Sequence, residues 1–183
     1  MKPLLADWVF AYGSLIWNPE IDFDESLLGR VHGYHRAFCI ASTYYRGTPQ
    51  APGVVLGLDR GGSCIGLAFR LHHAQRRRAI DHLYAREMID DVYRPTLASV
   101  TLRDGRQVRA LTFVANRASS AYQLLTEAET LRRLHDCAGL RGPNREYALN
   151  TWRSLQERGV HDARLARLAH GLLSLPPPGS PPR

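Results

Sequence analysis

Residues 74–88, AQRRRAIDHLYAREM, lie between two strand-rich stretches, and reading them as a helix decides the fold. Ile80, Leu83 and Tyr84 recur at helical spacing and form one apolar stripe, which predicts an amphipathic helix over Ala74–Met88. Ahead of it, Val54–Asp59 and Cys64–Leu71 flank Gly61-Gly62, a hairpin signal. Behind it, Tyr93–Leu102 and Gln107–Ala115 flank Asp104-Gly105, a second such signal. Trp8–Tyr12 adds a short strand ending in Gly13-Ser14, and Gly29–Ala41 alternates loosely as a long one. Ile16–Glu25, with its Asn18-Pro19 turn, and Tyr44–Gly53 read as loops. The rest is helical. Thr126–Glu129 is a capping box that opens a helix to about Cys137, Asn144 caps a helix to Arg158, and Asp162 starts a last one through Leu173. Strands with one inserted helix, then helices alone, make an α+β chain. So many strands in so short a chain predict a curled or closed sheet.

The next position on the helix stripe is Glu87. Spacing turns it inward, in a last turn whose carbonyls carry partial negative charge. Burial and that dipole end both raise a carboxylate's pKa, toward the range a general base or acid needs near neutrality. The competing reading pairs Glu87 with Arg86 or another arginine as a structural ion pair. The helix alone favours that pairing.

Composition narrows the classes. The chain has 183 residues, 44% hydrophobic and 22% charged, ordinary for a single globular domain able to bury a core without disulfides. We expect a domain over 1–175 and a disordered, proline-rich tail over 176–183. Apolar runs are too short to span a bilayer, and MKPLLADWVF lacks the long apolar stretch of a signal peptide, so a cytoplasmic protein is expected. Cys39, Cys64 and Cys137 are odd in number and widely spaced, and read as small buried hydrophobes. The eight histidines are scattered, with no H-E-x-x-H and no C-x-x-C, so no metal is predicted. A net charge of +7 admits nucleic acid, but Arg76-Arg77-Arg78 is the only tight cluster and no aromatic-and-basic signature accompanies it. A diffuse positive field suits a small anionic substrate equally well.

Four segments together resemble the ChaC-type γ-glutamylcyclotransferases. Phe10-Ala11-Tyr12-Gly13-Ser14-Leu15-Ile16-Trp17-Asn18-Pro19 is similar to the family's opening signature. Arg46-Gly47-Thr48-Pro49 with Pro52-Gly53 resembles the second, and Leu83-Tyr84-Ala85-Arg86-Glu87-Met88 with Tyr93-Arg94-Pro95 the third. Asn144-Arg145-Glu146-Tyr147 resembles the fourth. They stand in the family's order over roughly residues 8–170. Asp90-Asp91-Val92 departs from the small residues usual before the tyrosine, a difference that bears on loop mobility and substrate selectivity.

The resemblance implies a small mixed β-barrel with surrounding helices, and cyclisation of a γ-glutamyl group without cofactor, metal, nucleic acid or an obligate protein partner. In the ChaC branch the substrate is glutathione, and the products are 5-oxoproline and cysteinylglycine. Glu87 then matches the general base and acid. Tyr12, Gly13, Ser14 and Leu15 match the substrate-holding loop, whose N–H groups would grip the α-carboxylate. Arg46 either holds a carboxylate bidentately or makes a surface ion pair. Tyr93 and Tyr147 are hydroxyl donors, and Tyr147 reads equally as a core-facing aromatic. Two alternatives stay open: turnover of other γ-glutamyl amines or amino acids, and a non-catalytic γ-glutamyl binder on the same fold.

Overall fold

The computed structural model describes residues 3–88 and 91–176. It divides into two compact units, Met1–Ala37 with Leu56–Tyr122, and Phe38–Val55 with Gln123–Arg183. The strands β1 (Trp8–Ala11), β2 (Phe23–Ser42), β3 (Gly53–Leu71), β4 (Tyr93–Leu102) and β5 (Gln107–Ala115) form a closed barrel in the order β1-β3-β2-β4-β5. The helix α1 (Arg76–Glu87) is inserted between β3 and β4. Later come α2 (Glu127–Asp136), the short pair β6 (Ala138–Gly139) and β7 (Gly142–Pro143), then α3 (Asn144–Gln156) and α4 (Ala163–Ser174). The barrel is mixed: β1 runs antiparallel to β3 and parallel to β5, while β4 is antiparallel to both β2 and β5.

In the first unit the pleat explains the pattern. Along β4, Ala98, Val100 and Leu102 are buried between exposed Ser99 and Thr101, as a strand with one wet face requires. β1 is buried at all four residues, so its run of Trp8, Val9, Phe10 and Ala11 has no polar face to alternate with. Val9, Phe10, Leu58, Ile80, Leu83 and Leu111 are each at most 1% exposed and form the core; each contributes about 1.5–3 kcal/mol by leaving water. Where β1 meets β3, Gly66 is obligatory, since a Cβ there would stand 2.1 Å from the Ala11 carbonyl oxygen.

The Asp104-Gly105 hairpin forms as predicted, with Gly105 at φ +89° and Tyr93 facing Ala115. Gly61-Gly62 does not divide the chain into two strands. β3 continues through it as one strand of 19 residues, with Gly61 at φ +100° and Gly62 at φ +70°. After the bend its residues pair antiparallel with β1 and before it Leu58 pairs parallel with Val114 of β5, although β1 and β5 run the same way. The two glycines therefore redirect a continuous strand around the barrel, a corner that only left-handed backbone allows. β2 likewise starts earlier than Gly29, at Phe23; the Leu28 carbonyl accepts from the Arg103 N–H at 2.8 Å, a distant partner that local alternation does not reveal.

In the second unit, Leu134 of α2, Leu155 of α3 and Leu165, Leu168 and Leu172 of α4 are buried at 2% exposure or less. Two of the predicted caps are in place: Thr126 Oγ1 accepts from the Glu129 N–H at 3.2 Å and Asp162 Oδ1 from the Leu165 N–H at 3.0 Å. All three cysteines are buried. Among the described residues, no helix is long and apolar enough to cross a membrane. The tail expected from Pro176 onward lies, past Pro176 itself, outside the described residues.

Candidate active site

α1 starts at Arg76, after a 3-10 turn over His73–Gln75, and buries Ala79, Ile80, Leu83 and Arg86. Counting from Leu83, both the third and fourth positions onward flank the apolar stripe. The deeper of the two is Arg86, whose side chain is 5% exposed against 18% for Glu87. A buried guanidinium needs acceptors for its N–H groups, and the loop after β1 provides them. Arg86 Nη1 donates to the Asn18 carbonyl and to Glu20 Oε2, both at 2.9 Å, and Nη2 donates to Ser14 Oγ at 2.9 Å. Its Nε lies 3.2 Å from Glu87 Oε1. The ion pair weighed from sequence thus exists, and the same arginine joins Glu87 to the Gly13-Ser14 loop.

That loop begins where β1 ends and tightens into a 3-10 turn over Ser14–Ile16. The Ile16 N–H donates to Gly13 O at 3.0 Å, and Trp17 and Asn18 N–H both donate to Ser14 O. The opening N–H groups of such a turn face away from its own carbonyls. Among the described residues, no hydrogen bond takes the N–H of Ser14 or Leu15. The Leu15 and Ile16 side chains point into the core. The turn's entry is fixed by Arg36, itself 7% exposed, which donates from Nε to Tyr12 O at 2.6 Å and from Nη2 to Ile65 O at 2.7 Å.

Tyr12 and Tyr93 are 8% and 7% exposed. Their hydroxyls donate to main-chain carbonyls of Phe113 at 2.7 Å and Leu56 at 2.8 Å. Each phenolic proton is therefore directed at the barrel wall, so towards a ligand the tyrosine oxygen acts as acceptor and not, as predicted for Tyr93, as donor. Beyond α1, Asp90 lies outside the described residues; Asp91 adopts φ +52° and accepts the Asn116 amide through its carbonyl and Oδ2.

Arg46 and Tyr147 lie together in the second unit. Arg46 is 8% exposed, not on the surface, with its guanidinium 5.5 Å from the Tyr147 ring centre and Nη1 donating to Pro143 O at 3.1 Å. Burial pulls its pKa below the usual arginine value, against the opposing pull of Tyr147 and Glu146. Tyr147 is 6% exposed and meets Phe38 edge-on, so its ring faces the core. Asn144 does not cap α3. Its side chain is fully buried and bridges Val54, accepting from the Val54 N–H at 2.7 Å and donating to the Val54 carbonyl at 2.8 Å. The amide acts as one residue of an extra strand, and the α3 N-cap is Pro143 instead.

Sequence reasoning missed Arg36 and Glu20 as members of this arrangement, and weighed Arg86 only as an ion-pair partner of Glu87. For Arg86 a signal was present, since it occupies the same helical stripe as Glu87. Among the described residues, no group of three or more His, Cys, Asp or Glu side chains is gathered as metal ligands.

Comparison with known proteins gives a consistent assignment. The family model described as ChaC-like protein matches residues 7–173. The chain is 38% identical over 156 residues to a glutathione-specific γ-glutamylcyclotransferase of Escherichia coli (strain K12), covering 85% of this chain and 68% of that one. It is 31% identical over 175 residues to γ-glutamylcyclotransferase 2-3 of Arabidopsis thaliana, covering 91% and 88%. A crystal structure of a γ-glutamyl cyclotransferase specific to glutathione from yeast superposes with a TM-score of 0.84 at 20% identity, over 93% of this chain and 96% of the other. That likeness carries the fold: a closed mixed barrel with helices.

Proposed function

The chain belongs to the ChaC-like family, and from that membership we propose that it is a glutathione-specific γ-glutamylcyclotransferase, with its functional domain over residues 1–175. The observation that carries the proposal is the joining of Glu87, through Arg86, to the turn of N–H groups at Ser14 and Leu15. It puts a proton-accepting carboxylate and a carboxylate-binding backbone turn on one rigid connection.

The chemistry suits that pairing. The α-amino nitrogen of the glutamyl group attacks its own γ-carbonyl carbon, and a five-membered lactam closes. The bond from that carbon to the cysteine nitrogen then breaks, releasing cysteinylglycine and 5-oxoproline. No water or co-reactant is consumed. Glu87 takes the proton from the attacking amine and returns it to the departing nitrogen, so one carboxylate serves both steps. Nucleophile and electrophile are tethered from the start, and holding them in a cyclising conformation contributes up to about 7–11 kcal/mol. The turn at Gly13–Leu15 holds the α-carboxylate, and the tyrosine oxygens of Tyr12 and Tyr93 accept from the ammonium. The cysteines are odd in number and buried, which suits a reducing compartment, and we place the protein in the cytoplasm.

The test uses the purified protein with glutathione, and in parallel with γ-glutamyl-alanine, with products read by mass spectrometry. 5-oxoproline and cysteinylglycine from glutathione alone support the reading. Product only from γ-glutamyl-alanine keeps the chemistry and moves the specificity. Product from neither, with ligand binding retained, leaves a γ-glutamyl binder. Glu87→Gln should keep the fold and substrate binding while turnover falls about 10²- to 10⁴-fold; near-normal turnover removes Glu87 from the mechanism.

A further inference from the structure

Glu20 is an ordinary surface carboxylate in the sequence, with nothing to single it out. In the structure it is one of two non-glycine residues with positive φ among those described, at φ +52°. Such backbone is uncommon for a residue with a side chain and persists where neighbours hold it. Three side chains hold this one. Asn18 Nδ2 donates to Glu20 Oε1 at 2.9 Å, Arg86 Nη1 donates to Oε2 at 2.9 Å, and His82 Nε2 lies 3.6 Å from the same oxygen. Arg86 is nearly buried while Glu20 is 37% exposed, so the pair is anchored from the protein side. The loop between β1 and β2 is thus pulled against the end of α1 at Ser14, at Asn18 and at Glu20.

We propose that Arg86 and Glu20 are a positioning pair, which straps the Ser14–Glu20 loop to the last turn of α1 and so sets the separation between Glu87 and the N–H groups at Ser14 and Leu15. The proposal rests on the reading of those groups as base and carboxylate site. Neither residue touches the reacting atoms. Arg86 acts on both sides of the site, through its contact with Glu87 and through its bonds to the loop; Glu20 acts on the loop alone. The two therefore have different kinetic signatures. Loosening the loop alone weakens the grip on the α-carboxylate and raises KM. Losing Arg86 also releases Glu87 and lowers kcat.

The experiment measures kcat and KM for glutathione, and backbone hydrogen exchange over residues 13–20, in the native protein, Glu20→Gln, Arg86→Met and Arg86→Lys. For Glu20→Gln we expect KM to rise about fivefold, the scale of a half-exposed charge pair, with kcat nearly unchanged. For Arg86→Met we expect kcat/KM to fall about 100-fold, the scale of misplacing a reacting group by about 1 Å. Arg86→Lys should recover part of that loss, because one ammonium retains the charge but does not span three acceptors. In every variant, exchange over residues 13–20 should quicken while the β4–β5 hairpin keeps its protection. Native kinetics in Glu20→Gln together with native exchange over the loop overturns the pair. So does an Arg86→Lys protein with a lower melting temperature but unchanged kcat and KM, since that is a purely structural role. If the native protein fails to turn over glutathione, the functional reading falls, and loop exchange in Glu20→Gln still decides whether the strap exists.

Discussion

Changing Asn144 to aspartate alters one atom group in a fully buried side chain and should produce a pH-dependent loss of stability. The native amide accepts from the Val54 N–H at 2.7 Å and donates to the Val54 carbonyl at 2.8 Å. Asn144→Ala leaves both main-chain groups without their partner in a site closed to water. At about 1–3 kcal/mol for each unmet group, the loss is roughly 2–6 kcal/mol. For a chain of this size that lowers the melting temperature by about 10 °C. Asn144→Asp behaves differently on the two sides of its titration. A protonated carboxyl still accepts from the Val54 N–H and donates to the carbonyl, as the amide does. An ionised one sets a negative oxygen against the carbonyl oxygen. The fold therefore favours the protonated form, and the folded pKa of the new group lies above the unfolded value of about 3.9. Stability relative to the native protein is then nearly complete below pH ~4. It falls by up to about 1.4 kcal/mol per pH unit as the pH rises, and levels off once the folded form ionises too. Urea denaturation of the native protein and both variants, from pH 4.5 to 8, measures this. An Asn144→Asp protein within about 0.5 kcal/mol of native at pH 7, or a penalty that does not shrink toward acid, refutes the bridging role.

Other perturbations have equally definite outcomes. Asp59, 3% exposed, accepts from Arg117 Nε and Nη2, the Tyr122 hydroxyl and the Arg60 N–H. Burial pushes its pKa up, but those bonds outweigh it and hold the carboxyl below the usual aspartate value. Asp59→Asn should cost about 1–3 kcal/mol at pH 7. Because the native pKa is depressed, that difference is present above the unfolded value and disappears as the pH falls through the folded one; urea melts at pH 7 and pH 3 check it. Gly66→Ala forces a Cβ within 2.1 Å of the Ala11 carbonyl oxygen, on a backbone that cannot yield as a side chain tip does. A loss of about 1–3 kcal/mol by thermal melting is expected, with an accompanying loss of activity because Ala11 leads directly into the Gly13-Ser14 turn.

The sequence was most legible where one local rule acts alone. Asp104-Gly105 lies in a short turn between strands that pair residue for residue from Tyr93–Ala115 to Thr101–Gln107; the Gly105 N–H donates to Leu102 O and the Leu102 N–H to Arg106 O, so the turn fixes its own register. The same signal at Gly61-Gly62 misled, since left-handed glycines permit either a reversal or a corner and the choice depends on β1 and β5, distant in sequence. Asn144 likewise offered one amide to two tasks, and a strand edge at Val54 outcompeted the helix cap. At the site, the stripe of α1 correctly pointed to its last turn but not to the residue lying deeper there. Arginine is seldom buried, and the acceptors that bury Arg86 come from residues some seventy positions earlier, in a loop that local patterning cannot place.

The state of the cysteines has a further consequence. Cys39, Cys64 and Cys137 are 1%, 3% and 5% exposed, and burial pushes the Cys137 thiol above its ordinary pKa. Thiol–disulfide exchange needs an accessible thiolate. The folded protein therefore presents none to mixed-disulfide formation, either with oxidised glutathione or with the cysteinylglycine it is proposed to release. On the proposed reading, its turnover should therefore follow the supply of substrate and be indifferent to the redox poise around it, because none of its own thiols is open to exchange.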